Sequence, residues 1–317
     1  EQAKAFLTKI WNASRFLLMN MEGYTPGEPV AETAADAWIF SRLAKTVGQV
    51  TEGIESYAFG DVARSLQSFF WNEVCDWYIE VTKTRLSDAE ARLQAQRNLI
   101  FVLDTSLRLM HPLMPFATEA IWDTMPASWL DEDGERAEAL MVADWPEPAA
   151  YERWVNEPAE RAFELTRAVV TDVRSTRARY RISPKEQLGV SIRANSDEVA
   201  EAIRGMAEFI CAFARVSPLD ITTEEVAEKP EGSIGLAGAD FDAYILVGDL
   251  VDFAAERARI EKAIAKAEKE LAGAEKTLAN EGFIAKAAPE VVAKKRERAE
   301  ELKAEIGALT AQLADVK

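Results

Sequence analysis

Histidine and cysteine are close to absent from this chain. Its 317 residues contain one histidine, His111, and two cysteines, Cys75 and Cys211. Two distant thiols with no CxxC exclude a four-cysteine zinc site and a disulfide framework, and they fit a reducing compartment. Both are expected to be small buried hydrophobes. No glycine-rich phosphate loop is present. No apolar run approaches the roughly 18 residues of a membrane span. The opening EQAKAFLTKIW has no basic head, apolar middle or small-residue cleavage site, so it is not a signal peptide. It reads as the middle of a helix, as in a piece of a longer chain. Positive charge is also scarce: 37 Lys and Arg against 54 Asp and Glu leave a net −17. A uniformly acidic surface repels phosphate, which weighs against indiscriminate nucleic-acid binding.

What is present is organised unevenly. Residues 251–317 hold 13 basic and 13 acidic residues, so that segment is neutral and the rest carries the whole −17. Residues 161–193 hold eight basic residues and three acids, a local excess of five. An RNA contact is expected to use such basic islands, with the acidic remainder opposing non-specific binding. Hydrophobic content of 48% allows sizeable cores, and the length allows two or three domains.

Residues 1–150 read as helices. Phe6, Ile10, Ala13 and Leu17 recur at helical spacing over Ala3 to Asn20. Gly23, Pro26, Gly27 and Pro29 mark a loop. A second helix runs from about Thr33 to Tyr57, and a third, after Gly60-Asp61, to about Thr84. Ser87, with Glu90 three residues on, has the form of a capping box opening a fourth. Five helices with mostly short loops make a bundle. Residues 151–249 read as a small α+β unit. A helix spans Glu157 to about Arg179, Leu188 to Arg193 alternates as a strand does, and Ser196 to Phe213 reads as one helix. Strands follow at Pro218–Thr223, Gly232–Gly238 and Phe241–Val247, the last two joined by a tight Ala239-Asp240 turn.

Residues 250–317 carry the clearest pattern. Phe253, Ile260, Ala267 and Ala274 repeat every seven residues, with Arg257, Ile264, Leu271 and Leu278 beside them. The repeat breaks at Asn280-Glu281-Gly282 and Pro289. It resumes as Val292, Ala299, Ile306 and Leu313, interleaved with Lys295, Leu302, Leu309 and Val316. Two heptad helices around one turn make an antiparallel coiled-coil hairpin. Folding about Ile284-Ala285 sets Leu278 against Val292, Leu271 against Ala299 and Ala267 against Leu302. Each helix, at about 26 residues, is about 40 Å long, too thin to enclose a pocket.

The remaining signals are short motifs. Leu107 to Trp122, LRLMHPLMPFATEAIW, reads as a helix end closed by Leu107, Leu109, Met110 and Leu113, a double proline break at Pro112 and Pro115, and a new helix bearing Thr118, Glu119 and Trp122. His111, at this corner, is expected to be a hydrogen-bonded structural histidine. Lys9-Ile-Trp-Asn-Ala-Ser-Arg-Phe16 places Asn12, Arg15 and Phe16 on one helical face. There Arg15 could bond a base or phosphate and Phe16 could stack on an unpaired base; Phe16 as core and Arg15 in an ion pair is the other reading. Trp38, Trp71 and Trp77 are assigned to the core. Arg174, Arg177 and Arg181 lie in the segment Arg174-Ser-Thr-Arg177-Ala-Arg179-Tyr-Arg181-Ile-Ser-Pro184. Arg174 and Arg177 lie one helical turn apart, a spacing that suits phosphate contacts or a domain interface equally.

These motifs carry a resemblance. The proline junction resembles "PhMPFhTEEhW" of the class I aminoacyl-tRNA synthetases for valine, isoleucine and leucine. Residues 9–16 are similar to the "KLWNASRF" helix of bacterial valyl-tRNA synthetases, Phe69 to Tyr78 resembles their "WNEFCDWY", and residues 174–184 resemble their "RxxRxxxxIxP". The terminal hairpin selects valine within the group. Isoleucyl enzymes often end in a cysteine zinc module, which Cys75 and Cys211 cannot build, and leucyl enzymes lack the long coiled coil. The resemblance implies a mainly α chain with three parts: a helical anticodon-binding bundle (1–150), a small α+β linker domain (151–249) and a coiled-coil tRNA-binding arm (250–317). It implies a cytoplasmic, monomeric chain that binds tRNA(Val) and adjoins N-terminal catalytic and editing domains of the same polypeptide. The family holds ATP with HxGH and KMSKS elements. One histidine cannot supply the first and no stretch resembles the second. The chain is therefore expected to hold no catalytic residue, metal or cofactor, with ATP used elsewhere in the parent enzyme.

The RNA-binding residues implied are Lys9, Asn12, Arg15 and Phe16 at the anticodon, and Arg174, Arg177 and Arg181 in the basic segment. On the arm they are Lys262, Lys266, Lys269, Lys276, Phe283, Lys286, Lys294 and Arg298. The competing expectation is a non-enzymatic helical scaffold whose coiled coil binds a protein.

Overall fold

The structure, a computed structural model, describes residues 2–130, 137–224, 230–280 and 289–315. By internal contacts the chain divides into two units: residues 1–168 with 201–209, and residues 169–200 with 210–317.

The first unit is helical: α1 (Gln2–Met19), α2 (Ala34–Glu55), α3 (Phe59–Gln67), a π-helix (Ser68–Tyr78), α4 (Ile79–Leu86), α5 (Arg92–Met110) and α6 (Pro115–Trp122). Short α7 (Ala127–Leu130) and α8 (Pro148–Tyr151) lead into α9 (Glu157–Tyr180), which belongs to this unit as far as Ala168. Helix α2 starts with a full capping box, Thr33 and Asp36 each bonding the other's backbone N–H. Its buried face, from Trp38 to Val50, forms the centre of the core with Ile10, Leu17, Leu99, Leu103, Leu107 and Trp122. Trp38 stacks on Phe163 at a 3.4 Å centroid distance, and Trp77 meets Phe163 edge-on. Asp36, fully buried, accepts from Tyr78 at 2.6 Å and from Arg85 at 2.8 Å. Removing either partner of such a buried pair costs about 3–5 kcal/mol, because the other charge is stranded.

Three expectations change here. The third helix is interrupted by eleven residues of π-helix, in which the N–H of Ile79 donates to the carbonyl of Val74, five residues back. Ser87 opens no helix: it ends α4. Asp88, with a carboxylate in reach of two N–H groups, takes the amides of Glu90 and Ala91 instead. Leu113 lies beyond α5, exposed, because that helix stops at Met110 and Pro115 starts α6 at its first turn.

The second unit holds a four-stranded sheet of order β2-β1-β4-β3. β1 (Leu188–Ala194) runs parallel to β2 (Val216–Thr222) and antiparallel to β4 (Phe241–Leu246), which pairs with β3 (Ser233–Ala237). Alternate residues of β1, from Leu188 to Ala194, are buried, as the sequence alternation requires. The helix expected over Ser196–Phe213 is two, α10 (Asp197–Arg204) and α11 (Ala207–Ala214), divided at Gly205. Glycine is a poor helix interior residue, and its N–H still reaches the carbonyl of Glu201 at 2.9 Å. The chain ends in a helical pair, α12 (Phe253–Leu278) and α13 (Pro289–Asp315). Asp252 caps α12, accepting from Ala255. Among the described residues the buried positions of the pair are Ile260, Ala267, Ala274, Val292, Ala299 and Leu302, all on the heptad seam. Glu270 on α12 meets Arg298 on α13 at 3.5 Å, and Glu275 meets Lys303 at 3.7 Å. The turn expected at Ile284-Ala285 lies outside the described residues.

Candidate RNA interface

Helix α1 is amphipathic. Phe6, Ile10, Ala13 and Leu17 are buried, so their helical neighbours Ala5, Lys9, Asn12 and Phe16, at i, i+4, i+7 and i+11, form one stripe beside the core. The π-helix meets this stripe. Trp71 lies nearly parallel to Phe6, with centroids 6.3 Å apart. The Lys9 ammonium sits 5.5 Å from the Trp71 ring and bonds Asp76 at 2.7 Å. Seven residues on, about 10 Å along the helix axis, Phe16 is half-exposed with Lys83 over its ring at 5.4 Å. Asn12 and Arg15 are exposed. The structure therefore brings Lys9, Asn12 and Phe16 onto one strip, with Arg15 beside it. It adds two residues that sequence reasoning missed. Trp71 was assigned to the core, and it is half-exposed; Lys83 lies in another helix. The signal for Trp71 was its place one residue after the buried pair Phe69 and Phe70, but its orientation follows from the π-helix, which no 3.6-residue periodicity reveals. Trp38 is buried as expected; Trp77, also assigned to the core, is half-exposed, packed against Phe163 and Phe209.

Chemically, such a strip combines stacking surfaces with cations. A half-exposed aromatic ring offers surface to an unpaired base, and the lysine over each ring supplies charge. Lys9 is paired to an acid, and Lys83 bonds Glu80 at 2.5 Å. The strip thus carries little net charge, in keeping with recognition of bases rather than indiscriminate adhesion to phosphate.

The basic segment of the second unit is divided by the fold. Arg174 is exposed; its guanidinium donates to the carbonyl of Phe213 at 3.1 Å and lies over that ring. Arg177 is 8% exposed. Its guanidinium donates to the carbonyls of Ser183, Ala214 and Arg215 at 3.2, 3.1 and 3.0 Å. That geometry binds the end of α9 to the turn where β2 starts, and burial with the Arg215 charge nearby pulls its pKa below the ordinary arginine value. Arg181 ends α9 in the left-handed conformation, φ 55°, and is exposed. Its charge and that of Arg179 help hold Glu256 below the usual carboxylate range, behind the larger effect of the Arg259 hydrogen bond. Arg174 and Arg181 are thus at the surface, and Arg177 is committed to the interior.

On the helical pair, Lys262, Lys269 and Lys276 are exposed and make no ion pair among the described residues. Their spacing of seven aligns them along one face over about 21 Å. Lys266 approaches Glu270 at 3.9 Å, and Arg298 is shared between Glu270 and Glu301. Lys294 is exposed. Phe283 and Lys286 lie outside the described residues. His111 is fixed at the proline junction, its Nδ1 2.8 Å from the Thr118 hydroxyl. Among the described residues no three His, Cys, Asp or Glu side chains converge as metal ligands, and no helix is long and apolar enough to cross a membrane.

Two family profiles match this chain. Residues 36–192 match the anticodon-binding domain of tRNA ligases, and residues 252–317 match the valyl-tRNA synthetase tRNA-binding arm. The helical unit with its aromatic strip is therefore of the tRNA-ligase anticodon-binding class, followed by an arm of the same class of enzyme. The chain is 36% identical over 296 residues to the valine–tRNA ligase of Enterococcus faecalis, covering 92% of this chain and 32% of that protein. It is 36% identical to that of Halalkalibacterium halodurans, covering 98% and 35%, and 35% identical to that of Thermotoga maritima, covering 99% and 34%. The chain belongs to the valyl-tRNA synthetase family, spanning about one third of the length of these relatives and matching their C-terminal portion.

Proposed function

We propose that this chain is the tRNA-binding part of an enzyme that joins valine to tRNA(Val) at the expense of ATP. The observation that carries the reading is the order of two tRNA-binding modules on one chain, with a half-exposed aromatic and lysine strip on the first. Residues 1–150 serve as the anticodon-binding part, 151–249 as the linker domain and 250–317 as the arm. At the anticodon, Lys9, Asn12, Arg15 and Phe16 provide charge, an amide and a stacking ring. Arg174 and Arg181 are the surface cations of the linker. Lys262, Lys269, Lys276 and Lys294, with Lys266 and Arg298 nearby, supply the few phosphate contacts of the arm. Valine and ATP are handled by catalytic and editing domains in the remainder of the polypeptide, and the whole acts as a cytoplasmic monomer.

The test is filter binding of the chain to tRNA(Val) and to a tRNA with a different anticodon. The reading expects tighter binding to tRNA(Val); equal binding would favour a scaffold whose helical pair engages protein. In the same preparation, valine-dependent pyrophosphate exchange should be absent. Exchange that survives removal of full-length enzyme would overturn the assignment of catalysis to the rest of the polypeptide.

A further inference from the structure

A cavity of about 500 Å³ opens on the surface of the helical unit, lined by Ala5, Arg64, Gln67, Ser68, Trp71 and Asn72. Its composition is specific. Trp71 gives an aromatic wall, backed on Phe6. Gln67 and Asn72 bring side-chain amides, each with a donor and an acceptor. Ser68 brings a hydroxyl, within 3.4 Å of the Asn72 amide nitrogen. Ala5, the smallest wall, keeps the mouth open. The π-helix supplies Ser68, Trp71 and Asn72 together, and such departures from α-helix recur at functional sites. The cations nearby do not act as a free anion trap: Arg64, in the lining, is paired with Asp61, and Lys9, over the Trp71 ring, with Asp76. A phosphate or carboxylate alone would find that charge already neutralised. A flat ring bearing donors and acceptors on its edge matches what remains: one face for Trp71, one edge for two amides and a hydroxyl.

The geometry points to a pocket for a single unpaired nucleobase of the tRNA anticodon loop, stacked on Trp71 and read at its edge by Gln67 and Asn72. This rests on the RNA-binding reading above and adds a second stacking site to it. The Phe16 ring lies farther along the same helical stripe, about 10 Å from the level of Lys9, so the two rings hold different nucleotides. The pocket lies within the residues matched by the anticodon-binding profile, apart from Ala5.

The test uses the whole chain and synthetic anticodon stem–loops of tRNA(Val), one intact and others each lacking the base at one loop position. The variants are Ala5→Leu, which fills the cavity without removing a wall, the double variant Gln67→Ala/Asn72→Ala, and Phe16→Ala as a reference outside the pocket. Circular dichroism checks that each is folded. Ala5→Leu and the amide double variant should each weaken binding of the intact loop by roughly 5- to 150-fold, the range of one base stack. For one abasic position the loss caused by Ala5→Leu should vanish, since the occupant is already missing. If Phe16→Ala weakens binding while both pocket variants bind every loop as the unmodified chain does, the pocket proposal is overturned and the RNA reading stands. If the unmodified chain does not prefer the intact loop to an unrelated one, both fall.

Discussion

Arg177 offers the sharpest separation between a residue that holds the fold and one that holds RNA. It stands in the same basic motif as Arg174 and Arg181, yet its guanidinium is buried and donates to three backbone carbonyls. Hydrogen bonds from a charged donor contribute about 1.5–3 kcal/mol each in favourable cases, and the sum is not additive because the three share one group. The charge also bears a desolvation cost, visible as its lowered pKa. A net loss of about 2–4 kcal/mol on Arg177→Ala follows. Arg177→Lys should recover only part of it, since one ammonium cannot reproduce a planar fork spread over Ser183, Ala214 and Arg215. Urea unfolding followed by circular dichroism measures the loss. Amide exchange of Leu188, whose N–H donates to the Arg215 carbonyl at 3.2 Å, should quicken most. Salt dependence of tRNA(Val) binding should be unchanged in Arg177→Lys. A stability loss under 1 kcal/mol together with a salt slope lowered by about one phosphate would refute the clamp and return Arg177 to the RNA surface.

Phe16→Ala should weaken tRNA(Val) binding by about 1–3 kcal/mol and leave the melting temperature nearly unchanged; a stability loss of roughly 3–5 kcal/mol would make the ring core instead. Deleting residues 251–317 should weaken tRNA(Val) binding and flatten its salt dependence by the few phosphates lost, with the helical bundle still folded; unchanged affinity and slope would assign the arm another partner. Tyr24, whose hydroxyl donates to the Trp129 carbonyl at 2.9 Å, is pushed by burial from its ordinary 10.0 to about 12. The fold favours its neutral form, so its contribution to stability is complete below about pH 10 and is lost as pH rises towards 12. Stability measured across that window should fall less steeply in Tyr24→Phe, and identical profiles would show that Tyr24 ionises normally. The Cys75 thiol, raised by burial to about 12, should resist alkylation at pH 8 until the chain is unfolded.

Where local pattern decides structure, the sequence was legible. The heptads at Ile260, Ala267, Ala274, Val292, Ala299 and Leu302 became the buried seam, because a seven-residue repeat has one helical solution. Alternation at Leu188–Ala194 became a strand, and Pro115 began a helix where a missing N–H costs nothing. What was hidden depended on partners distant in sequence or on backbone bonding. Gln67 and Asn72 read as ordinary polar helix residues until Ala5 is brought opposite. Arg174 and Arg177 look alike as letters, and only the carbonyls of Ala214 and Arg215 distinguish them. Ser87 and Asp88 competed for the same N–H groups, and the carboxylate prevailed. Trp71 and Trp77 sit six apart on one helix and both are half-exposed; one lies beside α1, the other meets Phe163 and Phe209.

The eleven-residue π stretch has a consequence for how this segment tolerates change in length. Each residue in it turns the chain through a smaller angle than an α residue does, so the stretch acts as a phase shifter between Val62 and Leu66 on one side and Ile79, Thr82 and Leu86 on the other, all buried. Removing one residue anywhere between Ser68 and Tyr78 would relax the backbone towards ordinary α-helix. It would also rotate one flanking face off its core partners. The surplus winding is thus a fixed angular offset, and substitutions that respect it are far less disruptive than any deletion.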